Sequence, residues 1–403
     1  MQFKDIIDQA AAKQQLADLV ANNRLSHALL FLGREGAGAL PMAIAFAQYV
    51  VCDRVNGKKI AGASAGLFGE ETPVANETTL DACGVCPSCQ KAAKLAHPDI
   101  HFSYPVVPKK SGDKPVSTDY ISEWREFVAQ YPYGNVFDWL QFIGAENKQG
   151  NITAAECADI LHKLNLKSFE SGYKILVMWM PEYLGKEGNK LLKLIEEPPA
   201  DTLFLLVAES EAQILPTIIS RCQLVKIPKL SVEAIETALI ERAHTSPAQA
   251  RQLASISEGN YREAMQISQN ASEDWLDLLR EWLNATLKTG PAAQLKWIEE
   301  VGKLGREKQK QLLRYFNHLL EQSIRLRGLG ADSEYAGYLP EKERDFSLRF
   351  NKLTDINQQQ AIINEIDKAA YFIERNAHGK MLFHALSIKL YHIIADKSLL
   401  LVN

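Results

Sequence analysis

The stretch Ala28-Leu29-Leu30-Phe31-Leu32-Gly33-Arg34-Glu35-Gly36-Ala37-Gly38-Ala39-Leu40 decides the fold. The apolar run 28–32 followed by glycine predicts a buried strand entering a tight turn. Leu40 to Val51 then reads as a helix. Strand, glycine loop and helix open a P-loop-type α/β domain. A working loop reads G-x-x-x-x-G-K-[ST]: the lysine neutralises β/γ-phosphate charge and the hydroxyl holds Mg²⁺. Gly33 and Gly38 stand at that spacing, but Ala39 replaces the lysine and Leu40 the hydroxyl residue. Alanine offsets no phosphate charge, and leucine puts a butyl group where the metal would sit. Backbone N–H groups at the helix start could still hold an anion weakly. From the loop alone, an ordinary glycine turn between strand and helix is the better reading.

Working outward, Ala11–Asn22 has helical apolar spacing. Ile100–Ser103, Tyr173–Met180 and Leu203–Ala208 read as strands. Continuous apolar strands separated by helices suit a parallel sheet covered on both faces. Ala154–Leu166 and Gly188–Glu197 read as helices, the second stopped by Pro198-Pro199. Gly57–Asp81, rich in Gly, Ala, Thr and Glu, reads as a flexible excursion. Residues 105–150 read as an irregular insertion. After Pro228 the strand pattern disappears. Ser231 is placed to cap a helix running to Arg242. Ser246 is placed to cap another, Pro247–Glu258, ended by Gly259. Tyr261–Ser268 is a third. From Ser272 onward the pattern is helical, with a break at 328–339.

The chain has 403 residues, 46% apolar and 23% charged, with a net charge of −4. That length exceeds what one core usually serves. The charge gives no global positive field toward DNA or anionic membranes. The N-terminus has no signal-peptide layout, and apolar runs such as Ile175–Met180 are too short to span a bilayer. A soluble cytoplasmic protein with no membrane partner is expected.

Of six cysteines, Cys83, Cys86 and Cys89 form C-x2-C-x2-C, while Cys157 and Cys222 are scattered. In a reducing compartment that spacing points to a tetrahedral Zn²⁺ rather than disulfides. Cys52 is the natural fourth ligand, with His97 and His101 as rivals at shorter sequence distance. Four protein ligands leave no open position, so such a metal is structural. Ser220-Arg221-Cys222 follows Leu215-Pro216-Thr217-Ile218-Ile219. An arginine just past a helix near a sheet edge is suited to reach a neighbour's nucleotide site. From the tripeptide alone, a surface ion pair is the simpler reading.

Taken together, Asn23-Arg24-Leu25-Ser26-His27-Ala28, the glycine loop, the cysteines, Asn189-Lys190-Leu191-Leu192-Lys193-Leu194-Ile195-Glu196-Glu197-Pro198-Pro199 and Leu215 through Cys222 resemble the AAA+ clamp-loader family of bacterial DNA polymerase III. The resemblance covers residues 1 to about 270. It extends more loosely into the helical tail through Ile373-Glu374-Arg375-Asn376-Ala377. It implies a RecA-like AAA+ domain with an embedded zinc module at 1–228, a helical lid at 229–271 and a helical collar at 272–403. Active members carry Asp-Glu at the end of the Walker B strand, for Mg²⁺ and the attacking water. Here Trp179-Met180 stand in that register, and Glu182 lies three positions on. Together with the loop, this places the chain with the ATPase-inactive delta-prime branch rather than gamma/tau, with no ATP of its own.

The partners the resemblance implies are gamma/tau and delta subunits, and through them the sliding clamp and primed DNA. Arg221 would be an arginine finger in trans. Arg262 occupies the place of the second sensor arginine; with no nucleotide to sense, it is expected to pack between lid and core. The basic residues of 301–330 read as a solvated face. Two rival functions are an active clamp-loader ATPase with an unusual site, which would bind nucleotide alone, and a zinc-dependent DNA-binding protein. The acidic charge argues against the second.

Overall fold

In the computed structural model, residues 1–57, 80–110, 112–145, 148–269, 275–330, 333, 336, 339–374 and 377–397 are described. The excursion at 57–81 therefore lies almost wholly outside the described residues, as do Arg375 and Asn376. The chain divides into two compact units, Met1–Gln266 and Ile267–Asn403.

The first unit is built on five parallel strands: β1 (Ala28–Gly33), β2 (Ile100–Ser103), β3 (Lys174–Trp179), β4 (Thr202–Ala208) and β5 (Gln223–Ile227), in the order β2-β3-β4-β1-β5. This is the RecA-like AAA+ sheet the sequence predicts. Strands β3 and β4 are buried along their whole length. That is why they read as unbroken apolar runs rather than alternating ones. The edge strand β5 was not legible. It is short, and Leu224 and Lys226 point outward, so only part of it carries an apolar signal.

Two apolar clusters cover the sheet. One joins the helix Ala39–Val51 to alternate residues of the strands, such as Phe31, Val177 and Leu205. The other joins Ile160, Leu164, Leu191 and Leu194 to Leu30, Leu176 and Leu206. Helix Ala39–Val51 is buried on every side, which explains its lack of an amphipathic period.

Residues 105–150 are not irregular. They hold the helices Ile121–Gln130 and Val136–Phe142, packed around an aromatic core of their own. Tyr104 stacks on Trp124 at 4.0 Å between ring centroids, and Trp139 meets Trp124 edge-on at 5.4 Å. Trp139 Nε1 donates to the Pro105 carbonyl at 2.7 Å. The Pro, Gly and Lys residues around them masked two helices, although Trp124, Phe127 and Val128 stand at helical spacing.

Beyond β5, Ser231 Oγ accepts from Ala234 N–H, as its N-cap position predicts. Ser246 precedes the helix Pro247–Ile256 but makes no side-chain cap. Pro247 takes the first helical position, where its fixed φ suits the helix start and its missing N–H costs nothing.

The second unit is helical throughout its described residues, with Arg306–Leu329 the longest element. Its core centres on Trp282 stacked on Trp297 at 4.8 Å, with Phe316 and Phe383 set edge-on against Trp282. Within the basic run, Lys310 is buried and Arg327 donates to Asn351 and Thr354. Among the described residues no helix is long and apolar enough to cross a membrane.

Candidate functional site

The glycine loop joins β1 to the helix Ala39–Val51. Gly36 (φ +71°) and Gly38 (φ +95°) take backbone conformations that disfavour other residues. A Cβ on Gly36 would fall 1.8 Å from Asn260 Oδ1, and one on Gly38 would fall 2.9 Å from the Tyr133 ring. Both glycines are therefore pressed by side chains from elsewhere in the unit. The space beside the loop, lined by Gly33, Gly38, Leu40, Tyr133, Trp179 and Met180, amounts to about 20 Å³. That is room for on the order of one water molecule.

Two of the departures from the motif, Trp179 and Met180, line this space. Trp179 ends β3, where an active member would put a carboxylate. Its ring lies 5.2 Å from Trp124 and 6.0 Å from Phe127, both of the 105–150 segment. Tyr133, from the same segment, accepts a hydrogen bond from Ile7 N–H at 2.9 Å and meets Tyr261 edge-on. Burial pushes its phenol up to about 12, so it stays neutral. Met180 turns the chain at φ +60°. Glu182 does not substitute for the missing acids. Its Oε1 accepts from Glu209 and Ser210 N–H at 2.7 and 3.0 Å, and burial holds its carboxyl above the ordinary range.

Arg262 packs between the helical segment after β5 and the glycine loop, with its side chain 4% exposed. It donates to Glu35 Oε1 of the glycine loop at 2.9 Å. It also grips Asp138 with two nitrogens, Nε to Oδ2 and NH2 to Oδ1, the latter at 2.6 Å. Asn135 and Asn260 donate to Glu35, and Gln266 to Asp138. The Arg262 guanidinium is thus satisfied by two carboxylates of its own chain. Of the residues that build this arrangement, Tyr133, Glu35 and Asp138 were not singled out by sequence reasoning. The available signal was Asn135-x-x-Asp138, a helix-start box, inside an aromatic-rich insertion.

Arg221 follows the short helix Pro216–Ile219. It is held by Glu196 Oε1 at 2.5 Å and by the Thr217 carbonyl at 2.7 Å, with its side chain 34% exposed. Glu196 belongs to the Glu196-Glu197-Pro198-Pro199 element. Two separate motif elements therefore meet at this guanidinium. Of that element, Leu191, Leu194 and Ile195 are buried in the core; the side chains of Asn189, Lys190 and Leu192 lie outside the described residues.

Cys52, Cys83, Cys86 and Cys89 come together, with their Sγ atoms all within 4.8 Å of one another. Cys83 and Cys89 Sγ are 3.9 Å apart. A tetrahedral ion with metal–sulfur bonds of about 2.3 Å requires sulfurs about 3.8 Å apart. Backbone N–H groups of Cys83, Cys86 and Cys89 donate to Sγ of Cys52, Cys83 and Cys86, which favours thiolates. A bond from Cys89 and the Cys83 N–H hold Cys52 at about 5, while burial pushes Cys86 up to about 11. The four sulfurs fit a metal ion in spacing, burial and donor chemistry. His97 faces Glu170 at 3.2 Å instead, and His101 lies on β2.

The order of the five parallel strands and the glycine loop between β1 and the helix Ala39–Val51 give the first unit an AAA+-type α/β fold, with Tyr133 and Trp179 lining the small space beside the loop. Residues 8–231 match the family described as "DNA polymerase III, delta subunit", and the chain belongs to that family. It is 28% identical over 262 residues to DNA polymerase III subunit delta' of Bacillus subtilis (strain 168), covering 65% of this chain and 60% of that protein. It is 24% identical over 327 residues to subunit tau of the same organism, covering 79% of this chain and 46% of tau. It is 27% identical over 198 residues to subunit delta' of Pseudomonas aeruginosa, covering 49% and 42%. Each alignment thus spans less than two thirds of the relative's length.

Proposed function

We propose that this chain is a non-catalytic, delta-prime-type subunit of a bacterial DNA polymerase III clamp loader. It binds and hydrolyses no ATP, and it presents Arg221 to the ATP site of an adjacent gamma/tau subunit. The observation that carries this reading is the closed cleft. Tyr133 and Trp179 fill it, Ala39 and Leu40 remove its cationic and metal-binding groups, and Glu35 and Asp138 satisfy its arginine. Loss at three independent points leaves no route to phosphoryl transfer in cis, which depends on positioned charge. Membership of the family supports assembly with gamma/tau and delta, and through them action on the sliding clamp and primed DNA in the cytoplasm.

Within that assembly the 1–228 domain would carry the finger, 229–271 would form a closed lid and 272–403 a collar. The 34% exposed guanidinium of Arg221 can exchange the single carboxylate of Glu196 for a more highly charged phosphoryl group. Zinc would be held by Cys52, Cys83, Cys86 and Cys89, where it supplies a structural cross-link rather than a reactive centre.

The test is reconstitution with gamma/tau and delta subunits. The reading expects co-purification, DNA- and clamp-stimulated ATPase that depends on this chain, and no nucleotide binding by the chain alone. Saturable ATP–Mg²⁺ binding with turnover by the isolated chain would favour an active ATPase instead.

A further inference from the structure

Beside the closed cleft, and separated from it by Tyr133, Pro41 and Pro132, which line both, lies a second cavity of about 360 Å³. Nothing in the clamp-loader reading uses it. Its floor is apolar: Pro41 and Ile44 of the helix after the glycine loop, Leu95 behind the cysteine module, and Val128. Its rim is cationic, with Lys94, Arg125 and Arg242 set against one acid among the described lining residues, Asp5. In a chain of net charge −4, that is a local reversal of sign.

The two guanidiniums are anchored rather than free to wave. Arg125 Nε donates to the Leu95 carbonyl at 3.1 Å, and Arg242 NH2 to the Asp5 carbonyl at 2.9 Å. Asp5 is itself engaged, its Oδ2 accepting from Gln2 N–H at 2.7 Å. Anchored arginines keep donors in a fixed fork, so less entropy is lost when an anion binds. A volume of this size falls within the range of small-molecule sites, and an apolar floor with a few fixed polar groups is their usual composition.

We propose that this cavity binds a small apolar anion: one aromatic or aliphatic body bearing a single carboxylate, sulfonate or phosphate. The wall formed by Tyr133 excludes a ligand whose anionic part must run on into the glycine loop, so a nucleoside triphosphate is the wrong shape. The body rests on Ile44, Leu95 and Val128, and the charge lies between Arg125 and Arg242.

The test titrates the full chain with 8-anilinonaphthalene-1-sulfonate, which has both features and fluoresces when desolvated, and with N-phenyl-1-naphthylamine, the same body without the charge. The sulfonate should bind saturably at one site per chain. Arg125→Ala and Arg242→Ala should each weaken it about tenfold while leaving the neutral probe unchanged. Ala129→Trp, at an exposed position on the cavity's edge, should abolish binding of both probes by filling the space. Far-ultraviolet circular dichroism and the melting temperature serve as the check on folding. Sulfonate binding that persists in a folded Ala129→Trp chain would overturn the proposal, because the dye would then sit elsewhere. Equal affinity in wild type and both arginine variants would also overturn it.

Discussion

Arg262→Ala removes a cation that ties the glycine loop, the 105–150 segment and the helical segment after β5 together. The side chain is 4% exposed and its partners Glu35 and Asp138 are 19% and 13% exposed. Removing one member of a buried, hydrogen-bonded ion set costs roughly 3–5 kcal/mol, because the remaining charges are left buried without compensation. Here Asn135, Asn260 and Gln266 still donate to the two carboxylates, so the lower end, about 3 kcal/mol, is expected. Arg262→Lys should recover less than half of that, since one ammonium cannot bond Asp138 through two nitrogens and reach Glu35 as well. Urea unfolding followed by tryptophan fluorescence reads the loss. Hydrogen exchange should locate it in Val232–Gln266 and the glycine loop. A cost below about 1 kcal/mol, the value of an exposed pair, would refute this role of Arg262.

Three further outcomes are expected. The purified chain should carry one zinc, and Cys83→Ser should lose it and lower the melting temperature of the first unit; full metal retention in Cys52→Ser would reject Cys52 as a ligand. ATP–Mg²⁺ should not bind the isolated chain by calorimetry, and Tyr133→Ala, which opens the cleft, should not restore binding, because Ala39 and Leu40 still supply neither charge nor metal ligand. His318 in the second unit is held down to about 4, first by burial and then by Arg325, against an unfolded value of about 6.5. The unfolded chain therefore takes up the proton first. Stability from the neutral ring is complete above about pH 6.5 and falls by up to about 1.4 kcal/mol per pH unit toward pH 4. His318→Gln should flatten that slope in denaturant titrations at a series of pH values.

The sheet was legible because its inner strands are buried on both faces and carry unbroken apolar runs, and the glycine loop because its turns need glycine. The four cysteines were legible because metal-binding spacing is local in sequence, with only Cys52 requiring a guess across a long excursion. The closure of the cleft was half legible. The lost lysine and hydroxyl, and Trp179-Met180, could be read as absences, but what occupies the space could not. Tyr133 and Asp138 reach the loop only through the tertiary folding of the 105–150 segment, which local sequence does not specify. Glu35 looks like a surface charge until Arg262, more than 200 residues away, is seen to bind it. The contact between Arg221 and Glu196 was hidden for the same reason: each belongs to a recognisable motif, and nothing in either motif states that they touch.

The central claim is that this chain acts on a neighbour's ATP site and not on its own. Arg221→Ala in the reconstituted clamp loader tests it most directly, with DNA- and clamp-stimulated ATPase and clamp loading measured side by side. Such an arginine is worth on the order of a thousandfold at the site it serves, diluted in the bulk rate by sites that keep their own. Assembly should be intact, ATPase and loading should both fall, and Arg221→Lys should rescue little, because a point charge does not copy the two-pronged guanidinium. Normal assembly with wild-type ATPase and loading rates in Arg221→Ala would contradict the assignment and leave the chain a scaffold.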